Sequence, residues 1–197
     1  MFKEYTQFYI QNIQSFKRRG LAYSINSSRG QIGTVQETEE SLNNAGNQLV
    51  KLATSFISSR MTVERLHLEV TDQEGKRVCS IRKELGLDKD LLLFDQDSSH
   101  LATVKSTPKV KKPSVQVLDA KGHVYLNAEG TYGATDFTVA DSNRKLVSSI
   151  KKRSLVYETI KENLLNNDVY HIDNSHHEMT FGLIGIAVAI DLYFQEG

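Results

Sequence analysis

Cysteine occurs once in the 197 residues, at Cys79, which leaves no internal disulfide and no Cys-rich zinc site and points to a reducing compartment. Net charge is missing as well. The 24 Lys and Arg balance the 24 Asp and Glu, so contact with nucleic acid or an anionic membrane has to come from a local patch. No nucleic-acid partner is expected. The opening MFKEYTQFYIQNIQSFKRR lacks the apolar stretch and small-residue cleavage site of a secretory signal, and a cytoplasmic protein is expected. Also lacking are the groupings that carry catalysis: a nucleophile elbow, a phosphate-cradling glycine loop, and paired carboxylates in an apolar setting. The chain reads as non-enzymatic, without a cofactor.

What is present is a repeat. LAYSINSSRGQIGTVQE, LHLEVTDQEGKRVCSIRK, LLLFDQDSSHLATVK, VQVLDAKGHVYLNAE and FTVADSNRKLVSSIKK share apolar alternation, an Asx anchor, a polar turn and renewed alternation. The anchors are Asn26, Asp72, Asp95, Asp119 and Asp141. Six positions past each stand Ile32, Val78, Leu101, Tyr125 and Val147; nine past stand Val35, Ile81, Val104, Ala128 and Ile150. All are apolar. Asx side chains accept bonds from the backbone two residues on, and Gly30, Gly75 and Gly122 tolerate positive φ, so each unit is a β-hairpin. From Asp72 onward the anchors are 23, 24 and 22 residues apart, a period of two strands and two turns.

The longer gap after Asn26 holds residues 41–58, where Leu42, Ala45, Leu49, Leu52, Ala53, Phe56 and Ile57 follow helical spacing with Ser41 as N-cap. An amphipathic helix is expected there. Adding YTQFYIQNI, LVYETIKE and VYHI brings the count to about a dozen mostly antiparallel strands in one domain spanning residues 1–197. MTFGLIGIAVAIDLYF is apolar on every side, and Ser175 with Glu178 suggests a capping box before it. At ~1.5 Å per residue, Phe181–Phe194 reaches roughly 21 Å, short of the ~30 Å hydrocarbon core of a bilayer. The expected fold is therefore a closed antiparallel barrel around a buried C-terminal helix, kept slim by Gly182, Gly185, Ala187 and Ala189.

Hairpins in this order, with one helix inserted after the first and an apolar helix last, resemble the tubby C-terminal-like superfamily, which includes phospholipid scramblases and LURP-one-related proteins. The match covers residues 21–195 and is similar to bacterial scramblase-related proteins: YSINSSRGQIGTVQE resembles the opening hairpin, LHLEVTDQEGKRVCSIRK the next, and FTVADSNRKLVSSIKK with IAVAIDLYF the close. The resemblance implies a fold used at membranes, since tubby domains bind phosphoinositides and scramblases are linked to calcium-dependent lipid movement. Animal scramblases add a Pro-rich arm, a cysteine cluster and an acidic calcium loop. Here the matching loop, NNDVYHIDNSHHE, has Asp168 and Asp173 without alternating oxygen ligands.

The densest basic stretch is Lys105, Lys109, Lys111 and Lys112, broken by Pro108 and Pro113. Lys151, Lys152 and Arg153 make a second cluster, and Lys17, Arg18 and Arg19 a third. The first two are the candidate lipid-headgroup sites, each cation near the surface contributing about 1 kcal/mol. Against this stands the plain reading that such lysines solubilise loops and protect strand edges. His171, His176 and His177 with Asp173 are the right types for zinc or copper, but adjacent helical histidines diverge by about 100°, so no metal is assigned. Three functions follow: a peripheral binder of anionic phospholipid, a protein-interaction scaffold without lipid affinity, or a true scramblase.

Overall fold

Four of the five anchors make the same turn. The Oδ1 atoms of Asp72, Asp95, Asp119 and Asp141 each accept from the backbone N–H groups two and four residues on, at 2.8–2.9 Å. The third residue past each anchor has positive φ: Gly75 at 78°, Ser98 at 63°, Gly122 at 86° and Arg144 at 64°. The Asx cradle thus holds even Ser and Arg in the left-handed region. The first hairpin departs from the reading above. Its cradle is Ser27, whose Oγ accepts from Arg29 N at 3.1 Å, while Asn26 donates to Ser24 Oγ at 2.8 Å.

The computed structural model describes residues 2–13, 20–45, 63–87, 89–107, 112–131, 133–154 and 168–194. Twelve strands are found there: β1 (Gln7–Asn12), β2 (Ala22–Ser27), β3 (Gly30–Glu37), β4 (Leu66–Asp72), β5 (Arg77–Lys83), β6 (Leu91–Asp95), β7 (His100–Thr107), β8 (Ser114–Asp119), β9 (Val124–Gly130), β10 (Asp136–Asp141), β11 (Leu146–Ser154) and β12 (Asp168–Asp173). Each pairs antiparallel with its neighbours in sequence, and β12 closes on β1 with Tyr9 opposite His171. Among the described strands, closure leaves no edge open. The residue six past each anchor is a β-bulge: Ile32, Val78, Leu101, Tyr125 and Val147 are each skipped in the register. A bulge bends and twists its strand, and five at one repeat position curl the sheet uniformly toward closure.

Strand directions alternate, so the five hairpin turns share one end of the barrel. The ends of β1, β3, β5, β7, β9 and β11 share the other, called the open rim below.

Helix α1 (Glu39–Leu42) overlaps only the first residues of the helix expected over 41–58 and ends there, with Asn43 as its C-cap; its N-cap is Thr38, whose Oγ1 accepts from Ser41 N at 3.3 Å. Ser41 instead turns inward, its hydroxyl donating to Glu37 Oε1 at 2.8 Å. Residues 46–62, and the strand expected in LVYETIKE, lie outside the described part.

Helix α2 (Thr180–Tyr193) runs through the cylinder, and every residue from Gly182 to Leu192 is buried. On one side it meets β6 and β7 at Leu93 and Val104, on the other β1, β2 and β12 through Asp191. Burial of each Leu or Ile contributes about 1.5–3 kcal/mol relative to exposure. The capping box is not formed, because the Ser175 hydroxyl donates to Asp173 Oδ1 at 2.6 Å and a short 3-10 turn, His177–Met179, precedes the helix. Thr180 secures the start by donating to the buried Asn174 Oδ1 at 2.8 Å.

The small residues are needed where α2 meets the wall. A Cβ on Gly185 would stand 3.0 Å from Val104 Cγ2 and 3.2 Å from Leu93 Cδ2. Gly185→Val is therefore expected to lower stability by about 1–3 kcal/mol through overpacking. A thermal melt matching wild type would show slack in the interior.

Candidate functional site

With α2 filling the cylinder, a ligand has to be met on the outside. The second basic cluster lies near the end of β11, where side chains alternate faces. Lys151 and Arg153 are exposed, whereas Lys152 is turned in, its Nζ 2.7 Å from Asp168 Oδ2 with both side chains 11% exposed. A cation held in such a largely buried pair is not free to meet a headgroup. Lys151 stands opposite Asp136, the first residue of β10, which places it by the open rim. Arg153 reaches the same Asp136 at 3.1 Å in an exposed pair of little net value.

Lys105 and Lys112 are also exposed at the open rim, on β7 and just before β8. Lys105 lies 3.8 Å from Asp90, again in an exposed pair. Lys109 and Lys111 lie outside the described residues, as do Lys17, Arg18 and Arg19. The structure therefore brings Lys105, Lys112, Lys151 and Arg153 to one end of the barrel, with β9 and β10 between the two clusters, and sets Lys152 apart.

Beside Lys151 a groove of about 730 Å³ runs along the outer face of β11, β12 and β1 and reaches the first hairpin turn. Register sets Lys151 against His171 and His171 against Tyr9, whose ring centroid is 5.7 Å from that of the histidine. Arg29 closes the far end, and Glu4 and Asp173 add negative charge. Among the described residues, neither Arg29 nor Lys151 has a carboxylate within ion-pair distance. Sequence reasoning missed Arg29 and Tyr9, because only closure of β1 on β12 makes them neighbours of β11.

The histidines do not converge. His171 faces this groove, while His176 and His177 stand at the helix entrance, His176 lying 3.8 Å from Glu178. No group of three potential metal ligands occurs among the described residues. Cys79 is buried facing the core, and burial pushes its thiol up to about 12, far from a reactive thiolate.

A polar cluster that sequence reading passed over lies inside, near the open rim. Asp191, buried on α2, accepts from Tyr23 Oη and Tyr170 Oη at 2.6 Å each and from Asn12 Nδ2 at 3.2 Å. Burial first, and then the Asp191 charge, pushes both tyrosines well above their ordinary value, so they remain donors. The cluster ties α2 to three strands and is a structural latch.

Twelve antiparallel strands closed around an apolar terminal helix are accompanied by a match between the LURP-one-related family profile and residues 15–191. The chain belongs to the LURP-one-related family. That family is part of the tubby-like superfamily. An X-ray structure of an Arabidopsis thaliana protein is similar to this LURP-one-related chain over 96% of both chains, with a TM-score of 0.54 and 14% identity. At that identity the likeness concerns the fold alone. No curated protein gives a significant match. Family and fold support a binding domain as the coarse function of this LURP-one-related chain, and among the described residues no helix is long and apolar enough to cross a membrane.

Proposed function

We propose that this LURP-one-related domain is a non-enzymatic module that docks peripherally on anionic phospholipid, phosphoinositides included, through its open rim. The observation carrying this reading is that the described cations of both basic clusters, apart from the ion-paired Lys152, gather at one end of a barrel whose interior is already filled. In a chain without net charge, Lys112 and Lys151, which have no described carboxylate within ion-pair distance, together with the exposed and weakly paired Lys105 and Arg153, are what an anionic surface would feel. On this reading the module works from the cytoplasmic side, where its single free cysteine suits the reducing conditions.

Flotation with phosphatidylcholine vesicles containing phosphatidylserine or a phosphatidylinositol bisphosphate tests it. Wild type is expected to float at low salt and to be released as salt rises, and the triple change Lys105→Glu, Lys112→Glu, Lys151→Glu is expected to abolish flotation. Wild type that stays unbound at low salt, or a triple variant that floats as well as wild type, sinks the reading.

A second reading, a protein-interaction domain without lipid affinity, is favoured by the lateral groove, whose lining includes Arg29 and Lys151 as well as Glu4 and Asp173 and so suits a polar peptide of mixed charge. Lipid scrambling would require α2 to leave the cylinder and strip Asp191 of its three donors. The reading adopted here keeps the helix in place.

A further inference from the structure

Among the described residues, two buried side-chain nitrogens have no hydrogen-bond partner, His67 Nε2 and Arg82 Nε. They belong to neighbours. Register pairs His67 on β4 with Arg82 on β5, and both side chains face outward because Leu66, Leu68 and Ile81 beside them fill the core. A buried donor left unpaired is rare in a folded protein and calls for an acceptor from outside the chain.

The Arg82 guanidinium lies 4.5 Å over the Phe94 ring on β6. The ring covers one face of the fork and fixes its plane, but it uses none of the N–H donors along the edge. Among the described residues, no carboxylate stands within ion-pair distance of Arg82.

Both residues line a pocket of about 390 Å³ on the outer wall, between β4, β5 and α1. Small-ligand sites run from roughly 300 to 1,000 Å³. The edge of the pocket is pinned, since Ser41 Oγ on α1 accepts from His67 N at 3.2 Å. Most other charges around it are engaged: Arg65 pairs with Glu84 at 2.7 Å, and Lys83 is 1% exposed with contacts of its own. Glu40 remains, exposed on α1 where water screens it.

These charges select the ligand. Burial first, and then the positive charge of Arg82 and more weakly Arg77, lowers the His67 imidazole below its ordinary value against the opposing pull of Glu69 and Glu40. Near pH 7 it is therefore a neutral donor. One guanidinium beside one neutral imidazole balances a single negative charge, whereas the second charge of a phosphate dianion would go unmatched and face Glu40.

We propose that this pocket binds a small soluble molecule through its carboxylate, which accepts from the Arg82 fork and from His67 Nε2. The site uses none of the rim cations named above and does not depend on the docking reading.

The test is a nuclear magnetic resonance titration of the whole chain at pH 7 and fixed ionic strength, with benzoate, acetate and inorganic phosphate as probes. It follows the Arg82 Nε–H and His67 ring signals. Benzoate and acetate are expected to shift both signals to saturation, and phosphate to bind less tightly than either. Arg82→Lys keeps the charge without the fork and should weaken benzoate binding by about tenfold, read at the His67 ring, and Arg82→Gln should abolish it. Melting temperatures near wild type are expected, because the Arg82 side chain has no hydrogen bond to lose. Signals that stay still, that move without saturating, or that move equally in Arg82→Gln overturn the proposal, as does phosphate binding more tightly than benzoate. If Arg82→Gln does not fold, saturation in wild type and the loss in Arg82→Lys decide the matter. Phosphatidylserine also bears a carboxylate, so Arg82→Gln should float on its vesicles as wild type does. Flotation lost in that variant would assign the carboxylate to the lipid and overturn the soluble ligand.

Discussion

Ile186→Lys and Ala189→Asp are each expected to unfold the protein at room temperature. Both positions are 0% exposed on α2, enclosed by strands on all sides. A charge placed there has no water and no partner, a cost of several kcal/mol in a domain whose whole stability is about 5–15 kcal/mol. Neutral changes set the scale: Ile186→Val, which only trims a methyl group, should cost about 0.5–1.5 kcal/mol. Circular dichroism melts are the measurement. Cooperative melting of both charged variants within a few degrees of wild type would mean that α2 is not enclosed.

Asp191→Ala should be nearly as damaging, by about 3–5 kcal/mol, because it leaves buried Tyr23 and Tyr170 hydroxyls without the acceptor they share. Asp191→Asn keeps one oxygen and should fall between the two. The latch also predicts an alkaline limit. Tyr23 and Tyr170 keep their protons in the folded state well above the unfolded tyrosine value of about 10, so the unfolded chain binds fewer protons there. Stability present below about pH 10 should therefore drain away as pH climbs above it. In native protein the phenolate absorbance near 295 nm should under-count these two tyrosines until unfolding. Urea midpoints that are flat with pH across that range, or an alanine variant as stable as wild type, would refute the latch.

Much of this architecture was legible because its determinants are local. An Asp that accepts from its own backbone two and four residues on makes the same turn wherever it occurs, so four anchors were readable as four hairpins. The first was misread by one residue because Asn26 and Ser27 are both capable acceptors, and only the backbone geometry shows that Ser27 closes the turn. The positions six past each anchor were readable as apolar but not as bulges, since a bulge is a property of two paired strands. Ser41 and Ser175 failed as N-caps for a similar reason: Glu37 and Asp173 compete for their hydroxyls.

By itself, then, the sequence determined the hairpin repeat, the closed barrel and an apolar helix that must be enclosed, because turn chemistry, period-two burial and the hydrophobic effect all act within a few residues or on composition alone. The tertiary structure decided which surfaces can act. It turned Lys152 inward toward Asp168 and its neighbours outward, and joined Asp191 to residues up to 179 positions away. Each of those outcomes depends on distant segments meeting once the barrel shuts, and no local pattern in the chain encodes that meeting.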